Sequence, residues 1–266
     1  MGGRYDTKAP ARVRVLLARA APLAVVLRRG PSHKVCTLGW DRRDDRFTLG
    51  QWYHGRIYDE KCDISPDGLH WIYFALNGKR HEPTLGAYTV LARAPYLKAL
   101  GLWPVGSTWG GGGLFSEDGA YWPFHDAPLI APPEAPRLSS DFLDRRDWPR
   151  GTHQHARLVR DGWVLVHKAA REDDPCVDVF ERALPAAWVL VRACHLRHEA
   201  FTLRHGPSGR VLALPDWEWA ERDGERIVWS AAGCLWAADI DATGLVRPRL
   251  LQDFNAMVAH RTRAPY

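Results

Sequence analysis

Histidine and cysteine side chains, which bind transition metals, cluster at two places in this sequence. His153 and His155 would share one face of a strand, as two ligands of a single metal ion require. Cys194 and His198 offer sulfur and nitrogen, but Cys194 and the adjacent His195 would point to opposite faces of a strand. Because the spacing matches no closed zinc module, we expect no metal, no cofactor, and the first two histidines in exposed loops. The weak metal candidates are His153, His155, Cys194 and His198.

Four consecutive glycines, residues 110–113, are the nearest approach to a phosphate-binding loop. The run has no further glycine at the spacing of the GxGxxG dinucleotide fingerprint. It also lacks the lysine of a P-loop and a helix that follows it. We interpret it as backbone that comes close to another element and leaves no room for side chains; an anion cradle is the alternative. No GxSxG or HExxH motif occurs, and no Cys–His pair has the surroundings of a known nucleophile.

Tryptophan and arginine are the residue types here that favour binding. Trp217 and Trp219 are two residues apart, so on a strand they would share one face, with Trp229 across from them. They could stack a ligand, but packing between sheets is the favoured alternative. The net charge of +5 comes from scattered arginine pairs that acidic residues interrupt, whereas a nucleic-acid binder usually concentrates its charge in a stripe. The residues that we expect to bind a partner are Arg145, Arg146, Trp217 and Trp219.

Length and composition limit the class of protein. A chain of 266 residues can bury a core large enough for an all-β domain. The five cysteines are odd in number, far apart and without a CxxC pair, which favours reduced thiols and a cytoplasmic location. No stretch reaches the length of a membrane span, and Arg19 interrupts the apolar run near the N-terminus.

The elements that must position these residues are strands joined by Asp-Gly turns. In the clearest unit, residues 62–75, Ser65-Pro66-Asp67-Gly68 joins two aromatic and β-branched segments. Further Asp-Gly pairs begin at residues 118, 161 and 223, and a period of roughly 40 to 50 residues in a chain of strands is typical of a β-propeller. Helical signals are nearly absent, so residues 155–160, before the third pair, are predicted as a strand.

The Ser-Pro-Asp-Gly turn at 65–68 resembles the repeats of the TolB-like and WD40-like propeller families, in which this turn joins inner strands of a blade. Ser116-Glu117-Asp118-Gly119 repeats most of it. We therefore predict an all-β, propeller-like domain of about five four-stranded blades, with a β-sandwich as the alternative. The third blade is short in strands and the fourth is long enough for an extra hairpin. The predicted blades lie near 12–55, 57–105, 107–147, 153–214 and 216–254.

The remaining segments are predicted to lie outside this repeat. Residues 1–11 form a flexible N-terminus, the single domain covers 12–254, and residues 255–266 form a C-terminal tail. The region near 127–151 is rich in proline and is predicted as a loop or insertion that contacts a partner.

The leading functional hypothesis is a protein-binding or scaffold module of a larger assembly. Propellers present wide, loop-lined faces, and no catalytic arrangement in this sequence outweighs a structural explanation. The basic balance predicts an acidic protein surface as the partner, because such charge mainly steers association. Binding of nucleic acid or membrane is not expected.

The alternative is a glycosidase-like hydrolase or lyase at the mouth of the central channel. Five-bladed propeller glycosidases use paired acids that face the channel, and acidic residues cluster at 172–174 and Asp178. In that family an arginine directly precedes Asp-Pro, whereas here Arg171 is separated from Asp174-Pro175 by two acids, so a solvated charged loop is favoured. Three or more Asp, Glu or His side chains that converge in a central pocket would favour the enzyme.

Overall fold

The chain forms a ring of small antiparallel sheets. The computed structural model describes residues 9–30, 33–124, 127–132, 153–169, 177–195 and 198–266. Within these ranges, five sheets follow one another along the chain in a propeller-like arrangement. The predicted all-β, propeller-like class is therefore confirmed.

Twenty strands of the described residues are distributed among the five sheets. The first sheet contains β1 (Arg12–Leu17), β2 (Leu23–Arg29), β3 (Lys34–Asp41) and β4 (Arg46–His54). The second contains β5 (Arg56–Ile57), β6 (Asp63–Ile64), β7 (His70–Leu76), β8 (Ala87–Arg93) and β9 (Ala99–Pro104). The third contains β10 (Leu114–Phe115) and β11 (Tyr121–Trp122). The fourth contains β12 (Val164–His167), β13 (Asp178–Ala183), β14 (Trp188–Cys194), β15 (Glu199–His205) and β16 (Val211–Ala213). The fifth contains β17 (Trp219–Asp223), β18 (Arg226–Ala231), β19 (Cys234–Asp241) and β20 (Gly244–Asp253).

Four of these sheets are complete blades, where the sequence predicted about five. In the second blade, β5 and β6 pair with different parts of β7, so they act as one first strand that a 3₁₀ turn at Asp59–Lys61 interrupts. The third unit is a two-stranded ladder in the described residues, and the fourth has five strands, one more than a regular blade, where an extra hairpin was predicted. All five sheets lie within the predicted blade limits, apart from Arg56 at the start of the second.

Both faces of the first blade are buried. In β2, Val25 and Leu27 pack against the second blade, whereas Ala24 and Val26 point the other way and pack against the fifth. The strand therefore reads as a continuous apolar run, since neither of its faces meets water. β18 shows the same alternation between the fourth and first blades. A sheet with two apolar faces needs a neighbour on each side, and a ring of blades supplies both.

Polar contacts also join the last blade to the first. The Ser230 hydroxyl donates to the Val13 carbonyl oxygen at 2.8 Å. The Arg226 guanidinium donates to the Asp45 carboxylate at 2.7 Å. Both contacts connect β18 of the last blade to the first blade, so they help to close the ring.

Helix α1 (His153–Arg160) occupies a segment that was predicted as a strand, and that prediction is wrong. Gly162 has a φ of 92°, and its N–H donates to the Val159 carbonyl oxygen at 3.1 Å. The Trp163 N–H donates to the Leu158 carbonyl oxygen at 2.9 Å. These two bonds form the Schellman motif that ends a helix, so the Asp-Gly pair here is a helix cap and not a hairpin turn. No helix of the described ranges is long and apolar enough to span a membrane.

The other three Asp-Gly pairs connect strands, as predicted. The Leu69 N–H donates to the Asp67 carboxylate at 3.0 Å, and the Ala120 N–H donates to the Asp118 carboxylate at 3.2 Å. The first two turns therefore share one hydrogen-bond pattern as well as one sequence pattern. Each of the three turns places its glycine in the left-handed region, with φ values of 74°, 87° and 62° at Gly68, Gly119 and Gly224.

Val25→Ala and Val26→Ala test whether both faces of the first blade are packed. Each change removes two methyl groups from a fully buried side chain, so each should lower the free energy of unfolding by about 2 kcal/mol. The control Val164→Ala, at a side chain that is 62% exposed, should change it by less than about 0.5 kcal/mol. Urea unfolding followed by tryptophan fluorescence measures all three. If either buried valine behaves like Val164, its face does not contact a neighbouring blade.

Candidate functional site

A cavity of about 400 Å³ lies where the first strands of the sheets meet. Its wall is formed by residues 15–19 at the end of β1, by β6, by the C-terminal half of α1 and by β17. Because β1 contacts both β6 and β17, this position is the middle of the ring. One arginine each from β13 and β14 completes the wall. We call it the central cavity.

The central cavity is lined by more cations than anions. Its carboxylates are Asp63, Asp161 and Glu221. Its arginines are Arg19, Arg42, Arg157, Arg160, Arg182, Arg192 and Arg222. The carboxylates behind the wall that pair with three of these arginines are Asp223, Glu199 and Glu225. Arg157 donates only to backbone carbonyl oxygens of the described chain, and the seven arginines outnumber these six carboxylates by one.

The most deeply buried ion pair joins Asp63 to Arg160. The Asp63 side chain is fully buried, and both of its oxygens accept from the Arg160 guanidinium, one of them from Nη2 at 2.9 Å. It also accepts from the Phe115 N–H at 2.7 Å. Burial alone would lower the pKa of Arg160, but Asp63 and the neighbouring Asp161 raise it. Asp63 of β6 therefore connects its own strand to β10 and α1, and its buried negative charge is neutralised by Arg160.

Asp161 lies between two arginines at the end of α1. Its Oδ1 is 2.8 Å from Arg160 Nη2 and 3.6 Å from Arg19 Nη1. Burial raises the pKa of Asp161, while Arg160 acts in the opposite direction. Burial and then repulsion by Arg160 lower the pKa of Arg19. The Asp161 carboxylate thus faces the Arg19 guanidinium across the cavity wall.

Glu221 is the third carboxylate of the central cavity, and β17 carries it. Its Oε2 accepts from Trp163 Nε1 at 2.8 Å, and its Oε1 lies 3.1 Å from Arg182 Nε. Burial raises the pKa of Glu221, and Arg182 opposes that shift. The carboxylate is held in place by partners on both sides, as a structural acid is.

Three arginines of the wall keep a buried N–H group without a hydrogen-bond acceptor in the described part of the chain. These groups are Arg19 Nη1, Arg42 Nε and Arg192 Nε. Buried polar groups are nearly always hydrogen bonded, and an unsatisfied one costs about 1–3 kcal/mol, more when the group is charged. The three nitrogen atoms are themselves buried, so an anion in the cavity would reach them only if the side chains turned towards it.

The central cavity is better suited to binding than to catalysis. Three carboxylates do converge on it, which is the arrangement that would favour a channel enzyme. Each of them, however, already accepts from an arginine, and Asp63 is inaccessible. No histidine of the described residues lines the cavity. The guanidinium groups, by contrast, outnumber the carboxylates of the wall.

The two histidines expected in exposed loops are largely buried in α1. The His153 ring lies 3.7 Å from the Phe124 ring, centroid to centroid, and burial lowers its pKa to about 3. His155 Nδ1 lies 3.2 Å from the Asp178 carboxylate. The expected loop is wrong because both residues lie in the first turn of α1, where the His155 ring packs against the Phe180 ring. Two residues apart on a helix, the side chains point in different directions, so they do not form a two-ligand site.

The second group of weak metal candidates does not converge either. Cys194 is half-buried, and burial raises the pKa of its thiol to about 11. The rings of His195 and His198 are stacked, with their centroids 4.2 Å apart. No three His, Cys, Asp or Glu side chains within the described ranges are placed to hold a metal ion.

Trp217 and Trp219 lie in different environments. Trp217 stacks on Trp229, with centroids 4.6 Å apart, in the core of the fourth and fifth blades. Trp219 packs between the fifth and first blades and lines the central cavity. The expected shared face is wrong because β17 begins only at Trp219, so strand alternation does not extend to Trp217. Of the two, only Trp219 is at a candidate site.

Several predicted contact residues lie outside the described residues. They are Arg145 and Arg146, the acidic residues 172–174 and most of the loop near 127–151. Their role as contact elements stays a prediction.

The glycine run is crowded backbone. A Cβ atom on Gly111 would lie 2.4 Å from the Phe74 ring, and one on Gly113 would lie 2.3 Å from Ile72. Lys61 Nζ donates to the Gly110 carbonyl oxygen at 2.9 Å and to two carbonyl oxygens before it. The carbonyl groups of this loop accept from a lysine of the chain itself, and its glycines leave no space for a Cβ atom. The structure therefore favours the crowding interpretation.

The arginines of the central cavity had little signal in the sequence. They are scattered between residues 19 and 222, and only Arg42 has another arginine beside it, so no charge run or motif connects them. Two of them do stand out in context, because Arg19 interrupts an apolar run and Arg192 lies inside the apolar strand β14. A charged residue in such a strand indicates either a buried partner or a polar cavity.

Asp63→Asn tests the buried ion pair. The change leaves Arg160 buried with a weaker partner, so we expect the free energy of unfolding to fall by about 3–5 kcal/mol. Asp44→Asn is the control, because Asp44 is 54% exposed and 3.8 Å from Arg46; its effect should stay below about 1 kcal/mol. Chemical unfolding at pH 7 measures both. Equal effects of the two changes would mean that the Asp63 pair is no more stabilising than a surface pair.

Glu60→Gln tests a half-buried acid close to Arg157 of the cavity wall. Burial and then Asp59 raise the pKa of Glu60 to about 7. The folded state therefore holds a proton that the unfolded state releases, and stability should fall as pH rises from about 4.5 to 7. Glu60→Gln should be more stable than the parent by about 1–3 kcal/mol at pH 8, and nearly equal to it at pH 4.5.

Urea unfolding at the two pH values measures this difference, and Glu225→Gln, at a side chain that is 85% exposed, is the control. A pH-independent effect of Glu60→Gln would contradict the raised pKa.

Comparison with known proteins gives one short similarity. No family model matches the chain. Aspartate/glutamate leucyltransferases of Acinetobacter baumannii, including those of strains AYE, SDF and ACICU, are 36% identical to it over 59 residues. That stretch is 22% of this chain and 22% of each relative, so the matched segment spans about a fifth of the length of these relatives.

Proposed function

We propose that this protein is a binding module whose central cavity takes up acidic groups presented by a partner protein. The observation that carries the proposal is the excess of arginines over carboxylates on the wall of one cavity. A carboxylate satisfies such donors through charge-assisted hydrogen bonds, whereas a neutral ligand would leave the charge of the wall uncompensated.

The architecture supports a scaffold role within a larger assembly. A ring of blades offers broad faces for contact, and its cavity lies where these faces can present it to a partner. The two Ser-x-Asp-Gly turns with one hydrogen-bond pattern support the kinship with TolB-like and WD40-like propellers. The thiols of Cys36, Cys62, Cys194 and Cys234 are free, which supports a reducing compartment such as the cytoplasm.

The leucyltransferases with the short similarity are named for aspartate and glutamate, the acidic chemistry that the cavity would recognise. The similarity covers 22% of either chain, so leucyl transfer is no part of the proposal.

Arg19→Gln and Asp161→Asn should change the affinity for an acidic peptide in opposite directions. Arg19→Gln removes a cation of the wall and should weaken binding roughly tenfold. Asp161→Asn removes the carboxylate that faces Arg19 and should tighten binding. The measurement is fluorescence anisotropy of a labelled six-glutamate peptide at low salt, with a six-glutamine peptide as the negative probe.

Arg46→Gln is the matched control, because this side chain, at the first residue of β4, is 68% exposed and does not line the central cavity, so the change should leave affinity unchanged. Raising the salt concentration should weaken binding to the parent protein and reduce the difference between the variants. If all three variants bind like the parent, the acidic peptide does not enter the central cavity.

The channel hydrolase or lyase is the second candidate function. It is favoured by the raised pKa values of Asp161 and Glu221, which would let either carboxyl act as a proton donor. Cleavage of an aryl glycoside that Asp161→Asn abolishes would establish it in place of the binding module, because the binding proposal expects that variant to bind better.

A further inference from the structure

Residues 255–266 cross from the fifth blade over the first blade to the second. The Arg28 guanidinium of the first blade donates to the Phe254 carbonyl oxygen at 3.1 Å, just before this segment. Further along, the Thr262 carbonyl oxygen accepts from Gln51 Nε2 of β4 at 2.9 Å. The segment forms neither helix nor strand and then reaches the second blade. We call residues 255–266 the strap.

Tyr266 of the strap is bound by the hairpin that connects β8 to β9. Its hydroxyl accepts from the Arg93 N–H at 3.1 Å and donates to the Lys98 carbonyl oxygen at 2.7 Å. The Tyr96 ring meets the Tyr266 ring edge-on, with centroids 6.1 Å apart. The main chain thus offers one donor and one acceptor to a tyrosine hydroxyl, and a phenylalanine would leave both unused. We call Arg93, Tyr96 and Lys98 the tyrosine site.

Buried side chains of β7 hold the loop that carries the tyrosine site. Trp71 Nε1 donates to the Tyr96 carbonyl oxygen at 2.8 Å, and the Tyr73 hydroxyl donates to the Leu97 carbonyl oxygen at 2.8 Å. Both donors belong to the core between the first and second blades. The loop is therefore fixed by contacts that do not involve Tyr266, so another tyrosine can bind there with little reordering.

Two cations lie against the bound ring without an acid to balance them. The Arg93 guanidinium is 4.8 Å and Lys98 Nζ is 5.0 Å from the centre of the Tyr266 ring, and Lys98 Nζ also donates to the Tyr266 carbonyl oxygen. Within the described residues, no carboxylate forms an ion pair with either cation. Both side chains are exposed, so a ligand from solution can reach them.

The strap does not supply the missing negative charge. It contains no aspartate or glutamate, and it carries Arg261 and Arg263. The tyrosine of the strap therefore matches the hydrogen bonds and ring contacts of the tyrosine site, whereas the charge of the strap opposes its two cations. A tyrosine with acidic neighbours would match the site in ring, hydroxyl and charge.

We infer that the tyrosine site is a docking surface for a segment of a partner protein in which acidic residues flank a tyrosine, and that the strap covers this surface until such a segment displaces it. None of the three residues of the site lines the central cavity. The inference therefore goes beyond the proposed function, and either can fail alone. Because the strap competes, the apparent affinity for the partner is reduced by the fraction of molecules in which the site is open.

Capped pentapeptides test the site on the variant Tyr266→Ala, in which the strap no longer fills it. The probe has one tyrosine between two pairs of glutamates, and the matched control peptide has phenylalanine in place of the tyrosine. The probe should bind the variant roughly tenfold more tightly than the control peptide, because phenylalanine makes neither hydrogen bond of the hydroxyl. The parent protein should show a smaller preference for the probe, because its own tyrosine competes. Isothermal titration calorimetry at low salt measures these affinities.

Further changes in the Tyr266→Ala background test the charge of the site. Lys98→Gln removes one cation and keeps the carbonyl oxygen, so it should weaken binding of the probe roughly fivefold. Arg80→Gln is the matched control, because Arg80 is exposed on the β7–β8 connection, at the other end of the same blade, and should leave the affinity unchanged. A tyrosine between two pairs of lysines should bind more weakly than the probe. Urea unfolding shows that each variant is folded, since the changed side chains are exposed or half-buried.

The outcomes separate this inference from the proposed function. Equal binding of the tyrosine and phenylalanine peptides to Tyr266→Ala overturns the tyrosine site and leaves the central cavity as proposed. Tighter binding of the lysine-flanked tyrosine overturns the acidic partner. A parent that is a dimer in sedimentation equilibrium, and that Tyr266→Ala converts to a monomer, overturns the partner protein in favour of a second copy. If Arg19→Gln leaves the preference for tyrosine unchanged, the preference arises outside the central cavity, as inferred.

Discussion

The structure depends on the fact that its sheets have apolar side chains on both faces. A strand such as β2, buried along almost its whole length, cannot be stable in a sheet with one face in water. Each such blade needs a neighbour on either side, and the ring is the arrangement that provides one without leaving long edges. Four separate apolar clusters between adjacent sheets, rather than one central core, are the consequence.

This constraint places the polar groups of the inner strands at the centre of the ring. Polar side chains of the inner strands point to the axis, where the first strands meet. Charges there are stable only in pairs, which explains why Asp63, Asp161 and Glu221 each hold an arginine. The arginines on the wall of the central cavity nevertheless outnumber its carboxylates.

One local difference shows how a shared motif serves two purposes. Asp67-Gly68 turns between two strands, whereas Asp161-Gly162 ends a helix, although each glycine has a positive φ. The helix matters for the cavity, because it brings Arg157, Arg160 and Asp161 to the wall in place of an inner strand. The fourth sheet therefore presents guanidinium groups to the axis where a regular blade would present a strand.

The sequence by itself determined the all-β class and the limits of the sheets. It also identified the three Asp-Gly pairs that form hairpins, because apolar runs and turn chemistry are local properties. It also indicated the crowding of the glycine run, since no nucleotide motif surrounds it. It did not determine α1, whose cap at Gly162 reads like a hairpin turn until the hydrogen bonds of Trp163 are known. The central cavity was decided by tertiary structure alone. Arg19, Arg42 and Arg192 are far apart in the chain, and only the closure of the ring brings them to one wall.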